Sequence, residues 1–206
     1  GLERLILFTY PTLTILIADS APVALDVNAF VDDDGLGGNP AGEPANGDQN
    51  QNAGETGAGI GNEAIWTGKL GVSPGTGTDT PLSYKLVQPA NGLVGTENVT
   101  YALNGAGTVL TATTSGGTRP GTLLFTVAIT DPATGAYSVT LANAIRHDDT
   151  NDTENNVTLG IEYTVSDSDT PADTDTGLIT INFDDDVPTA EAFSAPQLSE
   201  DALVTV

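Results

Sequence analysis

The sequence predicts an all-β fold, an antiparallel β-sandwich, from three observations. The chain has 206 residues, which is enough for one domain with a sizeable core. Its apolar residues come in short runs between turn-forming residues, at spacings of about 8–12 residues that are typical of sandwiches. No segment combines a sustained helical period of about 3.6 residues with helix caps. We therefore expect no helix longer than two turns between residues 21 and 190.

The predicted elements follow in order along the chain. Residues 21–28 form a linker into a first strand, and a long Gly-, Asn- and Asp-rich loop is predicted over residues 32–62. Eight further strands are predicted, at 63–72, 82–88, 99–103, 107–114, 122–130, 135–141, 157–165 and 177–183. Alternation is clear in residues 157–165, whose odd-numbered positions are all apolar. Asn104-Gly105 and the segment 131–135 have turn composition between strands.

A long internal repeat divides the chain. Residues 13–24 read LTILIADSAPVA, and residues 179–190, which lie 166 positions later, read ITINFDDDVPTA. A period of this length is one domain, so the pattern is typical of a tandem array. We therefore expect residues 21–190 to form one whole unit. Residues 1–20 would hold the closing strand of a preceding unit, or a donor strand, plus a linker, and residues 191–206 would begin the next unit.

The most apolar stretch of the chain covers residues 5–18. It has 14 residues and contains Pro11, whereas a membrane span needs roughly 20, so we predict no membrane insertion. With Arg4 before it, the stretch also fits the core of a signal peptide. The repeat match of residues 13–17 favours a strand instead.

The charge of the chain limits its partners. The formal net charge is −23, from 28 acidic residues against five basic ones. Such a surface repels nucleic acid and anionic membranes, so neither is predicted as a partner. The absence of Cys excludes disulfides and thiol chemistry. Clustered acids oppose compaction unless a cation neutralises them, and divalent cations do this best.

The acids form four groups, and their oxygens predict Ca²⁺ binding. Ca²⁺ prefers six to eight oxygen ligands on a flexible frame. The groups are Asp32-Asp33-Asp34, the run 148–154 that ends in Glu154, the series Asp167, Asp169, Asp173 and Asp175, and Asp184-Asp185-Asp186. We expect the loop after the 157–165 strand and the end of the 177–183 strand to meet at one pole, where the ion would bind. The alternative is that these acids are solvated loops.

Two enzyme-like patterns are weak. Residues 71–75 match the Gly-x-Ser-x-Gly elbow of serine hydrolases, which needs a helix after Ser73 that Pro74 and the following glycines disfavour. His147, the single histidine, lies in an acidic segment and reads as a surface residue. Paired carboxylates could indicate a glycosidase, but no pair can be placed across a cleft. We predict a protein that is not an enzyme.

The aromatic side chains allow two interpretations. They could stack against sugars, but each lies within an alternating strand, which favours packing in the core. The residues concerned are Trp66, Tyr84, Tyr101, Tyr137 and Tyr163.

The acidic motifs, taken in order, resemble the large Ig-like repeats of giant RTX adhesins, which Gram-negative bacteria export by type I secretion. The motifs are DDDGLGG at 32–38, Glu154-Asn155, Asp167-Ser168-Asp169 and DDVP at 185–188. The resemblance covers roughly residues 21–190. It implies an extracellular Ig-like sandwich at the bacterial cell surface, in a stalk stiffened by Ca²⁺ between domains. The ligands that it implies are Asp167, Asp169, Asp185 and Asp186, with Glu154, Asp184, Asp175, Asp173, Asp33 and Asp34 as further candidates.

The chain departs from this family at two points. The common Asp-Gly-Asp-Gly-Asp step is replaced by the longer segment from Asp167 to Asp175. The preceding junction keeps only Asp19 of the acids, so we expect it to bind Ca²⁺ poorly or not at all.

Three functions are consistent with the sequence. The leading one is a non-enzymatic extender module, in contact head-to-tail with neighbouring repeats, while other domains of the adhesin would bind a host or biofilm glycan. The second is a fibre subunit that donates its apolar N-terminal strand, residues 5–17, to the sheet of an identical subunit. The third is a module that binds a glycan or peptide through the 32–62 loop.

Overall fold

The computed structural model describes residues 20–33, 36, 64–74, 79–147 and 156–184. These residues contain no α-helix, which confirms the all-β class and the expectation about helices over the part described. The strands are β1 (Val27–Asp32), β2 (Ile65–Lys69), β3 (Ser83–Leu86), β4 (Gly92–Val94), β5 (Glu97–Leu103), β6 (Val109–Thr114), β7 (Leu123–Asp131), β8 (Ala136–Leu141), β9 (Val157–Ser166) and β10 (Thr174–Asp184).

The strands form two sheets. One has the order β1-β10-β9-β3, and the other has the order β2-β8-β7-β6-β5-β4. Every neighbouring pair is antiparallel except β1 and β10, which run parallel from Val27 beside Ile179 to Asp32 beside Asp184. The predicted sandwich is therefore confirmed, with a parallel exception at its first strand.

The exception arises because the chain changes sheets before β1. Ala24 forms an antiparallel bridge with Val72, just after β2. The Leu25 N–H donates to the Gly71 carbonyl at 3.0 Å. From Val27 onward, the backbone pairs instead with β10. The first segment, residues 23–32, thus joins the two sheets: its start pairs beside β2, and β1 pairs with β10.

The core lies between the two sheets. On β10, Ile179, Ile181 and Phe183 are fully buried, as the strand period of two requires. The rings of Phe125 on β7 and Phe183 lie 5.0 Å apart between centroids, so the two sheets interlock directly. Burying a large apolar side chain contributes about 1.5–3 kcal/mol.

Some predicted bounds differ from the observed ones. Strand β4 was not predicted, because three residues are too few to show alternation. The predicted strand 63–72 ends at Lys69, and residues 71–73 pair with the first segment instead. Strand β10 begins at Thr174, so Asp175 lies in a strand and not in the preceding loop. The predicted loop 32–62 is described only in part, and residues 1–19 and 185–206, with most of the predicted flanking units, lie outside the described residues.

The sandwich has two acidic ends. The N-terminal pole holds residues 20–25 and the turn 167–173 between β9 and β10, because the Ala24 N–H donates to Asp175. The C-terminal pole holds Asp32 and Asp184, which are paired at the ends of β1 and β10. Strand β10 has 11 residues, so the poles are about 35 Å apart at about 3.3 Å per residue. The described chain therefore begins at one pole and ends at the other.

Candidate metal site

Asp167 organises the turn between β9 and β10. Its Oδ1 accepts hydrogen bonds from the Asp173 N–H at 2.9 Å and from the Asp169 N–H at 3.3 Å. Its own N–H donates to the Asp173 carbonyl at 3.2 Å. An aspartate that bonds the backbone a few residues onward is a common way to fix a turn. The turn is also tied to the segment before β3, because the Ser168 hydroxyl donates to the Thr80 carbonyl at 3.1 Å.

The second oxygen of the Asp167 carboxylate has no hydrogen-bond partner among the residues that the structure describes. Asp167 is 6% exposed, and its Oδ2 is buried. A carboxylate has about four lone-pair positions, all of them acceptors when it is ionised. Leaving a buried acceptor unsatisfied costs about 1–3 kcal/mol, and more when it is charged. A cation at Oδ2 would remove this cost, so this is the position in the described chain where a metal ion fits the chemistry.

The neighbouring acid Asp175 already has a structural role. Its Oδ2 accepts the hydrogen bond from the Ala24 N–H at 2.8 Å. Asp26, which the sequence analysis did not single out, accepts from the Leu178 N–H at 2.9 Å. Both bonds join the first segment to β10. A search by acid clusters misses Asp26, because the signal is its register opposite β10 and not its sequence neighbours.

The expectation that the loop after the 157–165 strand and the end of the 177–183 strand meet at one pole is wrong. Strands β9 and β10 form a hairpin, with Thr174 beside Ser166 and Phe183 beside Val157. The turn that holds Asp167 is therefore at the opposite end of β10 from Asp184. Asp185 and Asp186, which follow Asp184 in the sequence, lie outside the described residues. The physical reason is that an antiparallel hairpin brings the end of its second strand to the start of its first.

The other predicted ligands distribute between the two ends. Asp173 belongs to the Asp167 turn, through its N–H and carbonyl. Asp33 follows β1 at the C-terminal pole, where its carbonyl accepts from the Leu36 N–H at 2.9 Å. Asp34, Glu154, Asp185 and Asp186 lie outside the described residues.

Within the described ranges, no three acidic or histidine side chains are close enough to hold a metal ion together. A site at Asp167 with three or more carboxylates would therefore need acids from outside those ranges.

An ion-pair cluster fixes the backbone near the C-terminal pole. The Arg119 guanidinium forms a double ion pair with Glu97, with Nε 2.7 Å from Oε1 and Nη2 against Oε2. Arg119 also donates to the Ala144 carbonyl at 2.6 Å. Hydrogen bonding from Arg119 is the main reason that the pKa of Glu97 is lowered, and its pairing with Arg119 outweighs its partial burial. These bonds fix residues 142–147, which come just before the acidic run 148–154 in the sequence.

Ser73 of the Gly-x-Ser-x-Gly pattern lies in a paired segment, and most of the candidate aromatic residues lie in the core. Ser73 lies in the segment that pairs with residues 23–25, and its N–H donates to the Val23 carbonyl at 2.8 Å. His147 ends the segment 142–147. The four tyrosines named above are buried, as the core interpretation predicts. Trp66 is half-buried, and its ring meets Phe30 edge-on at 5.4 Å.

The comparisons with known proteins bear on the extent of the domain. A family model described as a domain of unknown function (DUF5801) matches residues 30–182 of the 206. The chain belongs to the DUF5801 family. The matched region runs from Phe30 in β1 to Asn182 in β10, so the DUF5801 unit coincides closely with the two-sheet sandwich. No curated protein matches the sequence. The described part of this DUF5801 chain has no helix long and apolar enough to span a membrane.

Proposed function

We propose that the chain is a non-enzymatic structural module, one repeat of an extracellular stalk on a Gram-negative cell, with Ca²⁺ bound where consecutive repeats meet. The observation that carries the proposal is the buried, unpartnered Oδ2 of Asp167 at the pole where the chain enters the sandwich. The resemblance to RTX adhesin repeats supports the same role. So does the placement of the first and last strands, because a unit entered at one pole and left at the other stacks end to end.

The repeat explains how a split ligand set could be completed. Asp19 corresponds to Asp185 at the spacing of 166 residues, and Ala18 and Ser20 correspond to Asp184 and Asp186. In an array, the acids 184–186 of one unit would therefore precede the next unit as residues 18–20 precede this one. One ion would then be shared between those acids and the Asp167 turn of the following unit. In this proposal, the ion lies between two consecutive units, and not at one pole of a single unit as the sequence predicted.

Restoring the missing acids tests the shared site. We expect Ala18→Asp with Ser20→Asp to raise the melting temperature in Ca²⁺ relative to EDTA by about 5–10 °C at a concentration of one hundred times Kd. The unaltered N-terminal segment, with Asp19 alone, should give a smaller shift. Adding Asp167→Asn should abolish the gain, because an amide keeps one oxygen for the turn but replaces Oδ2 with a group that cannot bind a cation. Scanning calorimetry measures each shift.

Asp131→Asn is the matched control. Asp131 ends β7, and its Oδ1 accepts from the Ala133 and Thr134 N–H groups, as Asp167 does in its own turn. It has no buried, unpartnered oxygen. The control variant should keep the full Ca²⁺ shift. Equal melting temperatures in Ca²⁺ and EDTA for the chain with restored acids would refute the shared site.

The fibre-subunit alternative rests on sheet edges. Strands β1, β3, β2 and β4 are at the edges of the two sheets, and an edge strand can accept an added strand. On β4, Leu93 is 64% exposed, which would suit an apolar donor such as residues 5–17. This alternative makes a different prediction about mass in solution, given in the Discussion.

A further inference from the structure

We propose that the pairing of β1 with β10, together with two tyrosine hydroxyls, is a mechanical clamp that resists pulling along the long axis of the domain. This deepens the stalk role proposed above and rests on it for its biological meaning. The clamp itself can be measured with no adhesion assay and no Ca²⁺.

The direction of the strands decides how force acts on them. β1 and β10 are parallel over six residue pairs, from Val27↔Ile179 to Asp32↔Asp184. Pulling the preceding chain draws β1 toward the N-terminal pole, while pulling the following chain draws β10 toward the C-terminal pole. The two strands must then slide past one another, and the hydrogen bonds between them are loaded together. An antiparallel pair pulled from adjacent ends would open one bond at a time.

Side chains add bonds across the same pair. Asp26 accepts from the Leu178 N–H at 2.9 Å, and Asp175 accepts from the Ala24 N–H at 2.8 Å. Asp26 is on the first segment and Asp175 is on β10, so each of the two segments accepts a hydrogen bond from the other. Both bonds lie just before the first residue pair of β1 and β10, Val27↔Ile179. Charge-assisted hydrogen bonds of this kind are roughly twice as strong as neutral ones.

Two buried tyrosines hold the first segment from inside the core. The Tyr163 hydroxyl donates to the Leu25 carbonyl at 2.5 Å, and the Tyr137 hydroxyl donates to the Asn28 carbonyl at 3.3 Å. Tyr163 is on β9 and Tyr137 is on β8, so one bond comes from each sheet. Both rings lie across a glycine of the adjacent strand, Gly177 and Gly68 respectively. A segment bonded to both sheets cannot slide unless these bonds break with the ladder.

Single-molecule pulling on the full chain tests the clamp in two directions. Because the chain lacks Cys, added cysteines give unique attachment points. End-to-end pulling should give one rupture at high force that releases roughly 50 nm of chain at about 3.5 Å per residue. Handles at Gly105→Cys and Ala133→Cys pull apart the β5–β6 and β7–β8 turns, and so peel β6 from β7. We expect the end-to-end rupture force to be several-fold higher than the peeling force.

Variants separate a clamp from a general loss of stability. Tyr163→Phe with Tyr137→Phe should lower the end-to-end force by a larger fraction than the peeling force. Tyr101→Phe is the control, because Tyr101 is buried on β5 and its hydroxyl makes no hydrogen bond within the described residues. Should the double variant fail to fold, Asp26→Ala removes a bond at an exposed position and should have the same directional effect.

The outcomes distinguish the clamp from the proposed stalk role. Equal forces in the two directions, or equal fractional losses in the double variant, would overturn the clamp. A directional clamp in a chain with no Ca²⁺ response would support the clamp and count against the shared ion site.

Discussion

At the scale of single residues, two glycines determine where the buried tyrosines lie. Gly177 is opposite Tyr163, and Gly68 is opposite Tyr137, in adjacent strands. A Cβ at either glycine would come within 2.6 Å of the tyrosine Cε1, which is closer than carbon atoms can approach. A glycine in a strand usually weakens it, but here the aromatic ring fills the space. Each ring can then reach the first segment with its hydroxyl.

Gly177→Ala should therefore destabilise the domain by about 1–3 kcal/mol, the usual cost of overpacking a core. The Tyr163 ring would have to move, and its bond to Leu25 would lengthen. Urea unfolding measures the change. Gly92→Ala is the control, since a Cβ there meets nothing within 4 Å, and it should change stability by less than about 0.5 kcal/mol. Equal losses for both variants would show that contact with the Tyr163 ring is not responsible.

The tyrosines also predict the response to alkali. Burial raises the pKa of Tyr163 to about 12 from its ordinary value of 10.0, and it raises the pKa of Tyr137 as well. A raised pKa means that the folded state holds the proton more tightly than the unfolded state does. The stability from this effect is therefore complete below pH 10 and is lost as the pH rises toward 12.

We expect a loss of up to about 3 kcal/mol from Tyr163 across this range, from two pKa units. Urea midpoints between pH 9 and pH 12, with tyrosinate absorbance as the second signal, test this prediction. Tyr163→Phe should show a shallower decline than the unaltered chain. A tyrosinate absorbance step near pH 10, before any unfolding, that is present in the unaltered chain and absent from Tyr163→Phe would contradict it.

At the scale of elements, the Glu97–Arg119 pair links three parts of the chain. Glu97 begins β5, Arg119 lies in the turn between β6 and β7, and Arg119 also bonds Ala144 after β8. The Glu97 side chain is 11% exposed and that of Arg119 is 21% exposed, so water screens this pair less than a surface pair. Its second neighbour, Arg146, is 3.9 Å from Glu97.

Glu97→Gln should destabilise the domain by about 1.5–3 kcal/mol at pH 7, the range for a hydrogen bond to a charged group. The pKa of Glu97 is lowered from 4.5, so its contribution is present above pH 4.5 and is lost as the pH falls through the lower folded value. The difference between the variant and the unaltered chain should shrink in acid. Glu162→Gln, at an exposed position on β9, is the control and should show no such difference. A difference that does not change with pH would rule out ionisation as the cause.

The elements that sequence patterns predicted well are those whose burial alternates locally. Strand β9 shows this, since Ile161, Tyr163 and Val165 face the core as their spacing predicts. Strand β4 did not, because its three residues carry no period. The β10 start at Thr174 was also missed, since Thr174–Thr176 are polar and pair only because β9 is opposite. The local pattern of apolar residues indicates which side chains are buried. Which residues form a strand at its ends also depends on the strand that lies beside it.

At the scale of the whole molecule, each strand in the described ranges pairs with another strand in those ranges. We therefore expect that deleting residues 1–18 leaves a folded domain. If residues 5–17 donate a strand to another molecule, the full chain should form head-to-tail oligomers and the truncated chain should be monomeric. Multi-angle light scattering over a range of concentrations measures both masses. Monomers for both chains would remove the fibre-subunit alternative.

The sequence alone determined the all-β class, the tyrosine core and the presence of acid groups at the ends of strands. These follow from composition and from the period of two, which are local properties. Only the tertiary structure decided that Asp167 and Asp184 lie at opposite poles, because strand direction in a hairpin separates them by the length of β10. It also decided that β1 runs parallel to β10. Residues so far apart in sequence become neighbours through packing of the whole sandwich, and no local pattern records which strand lies beside which.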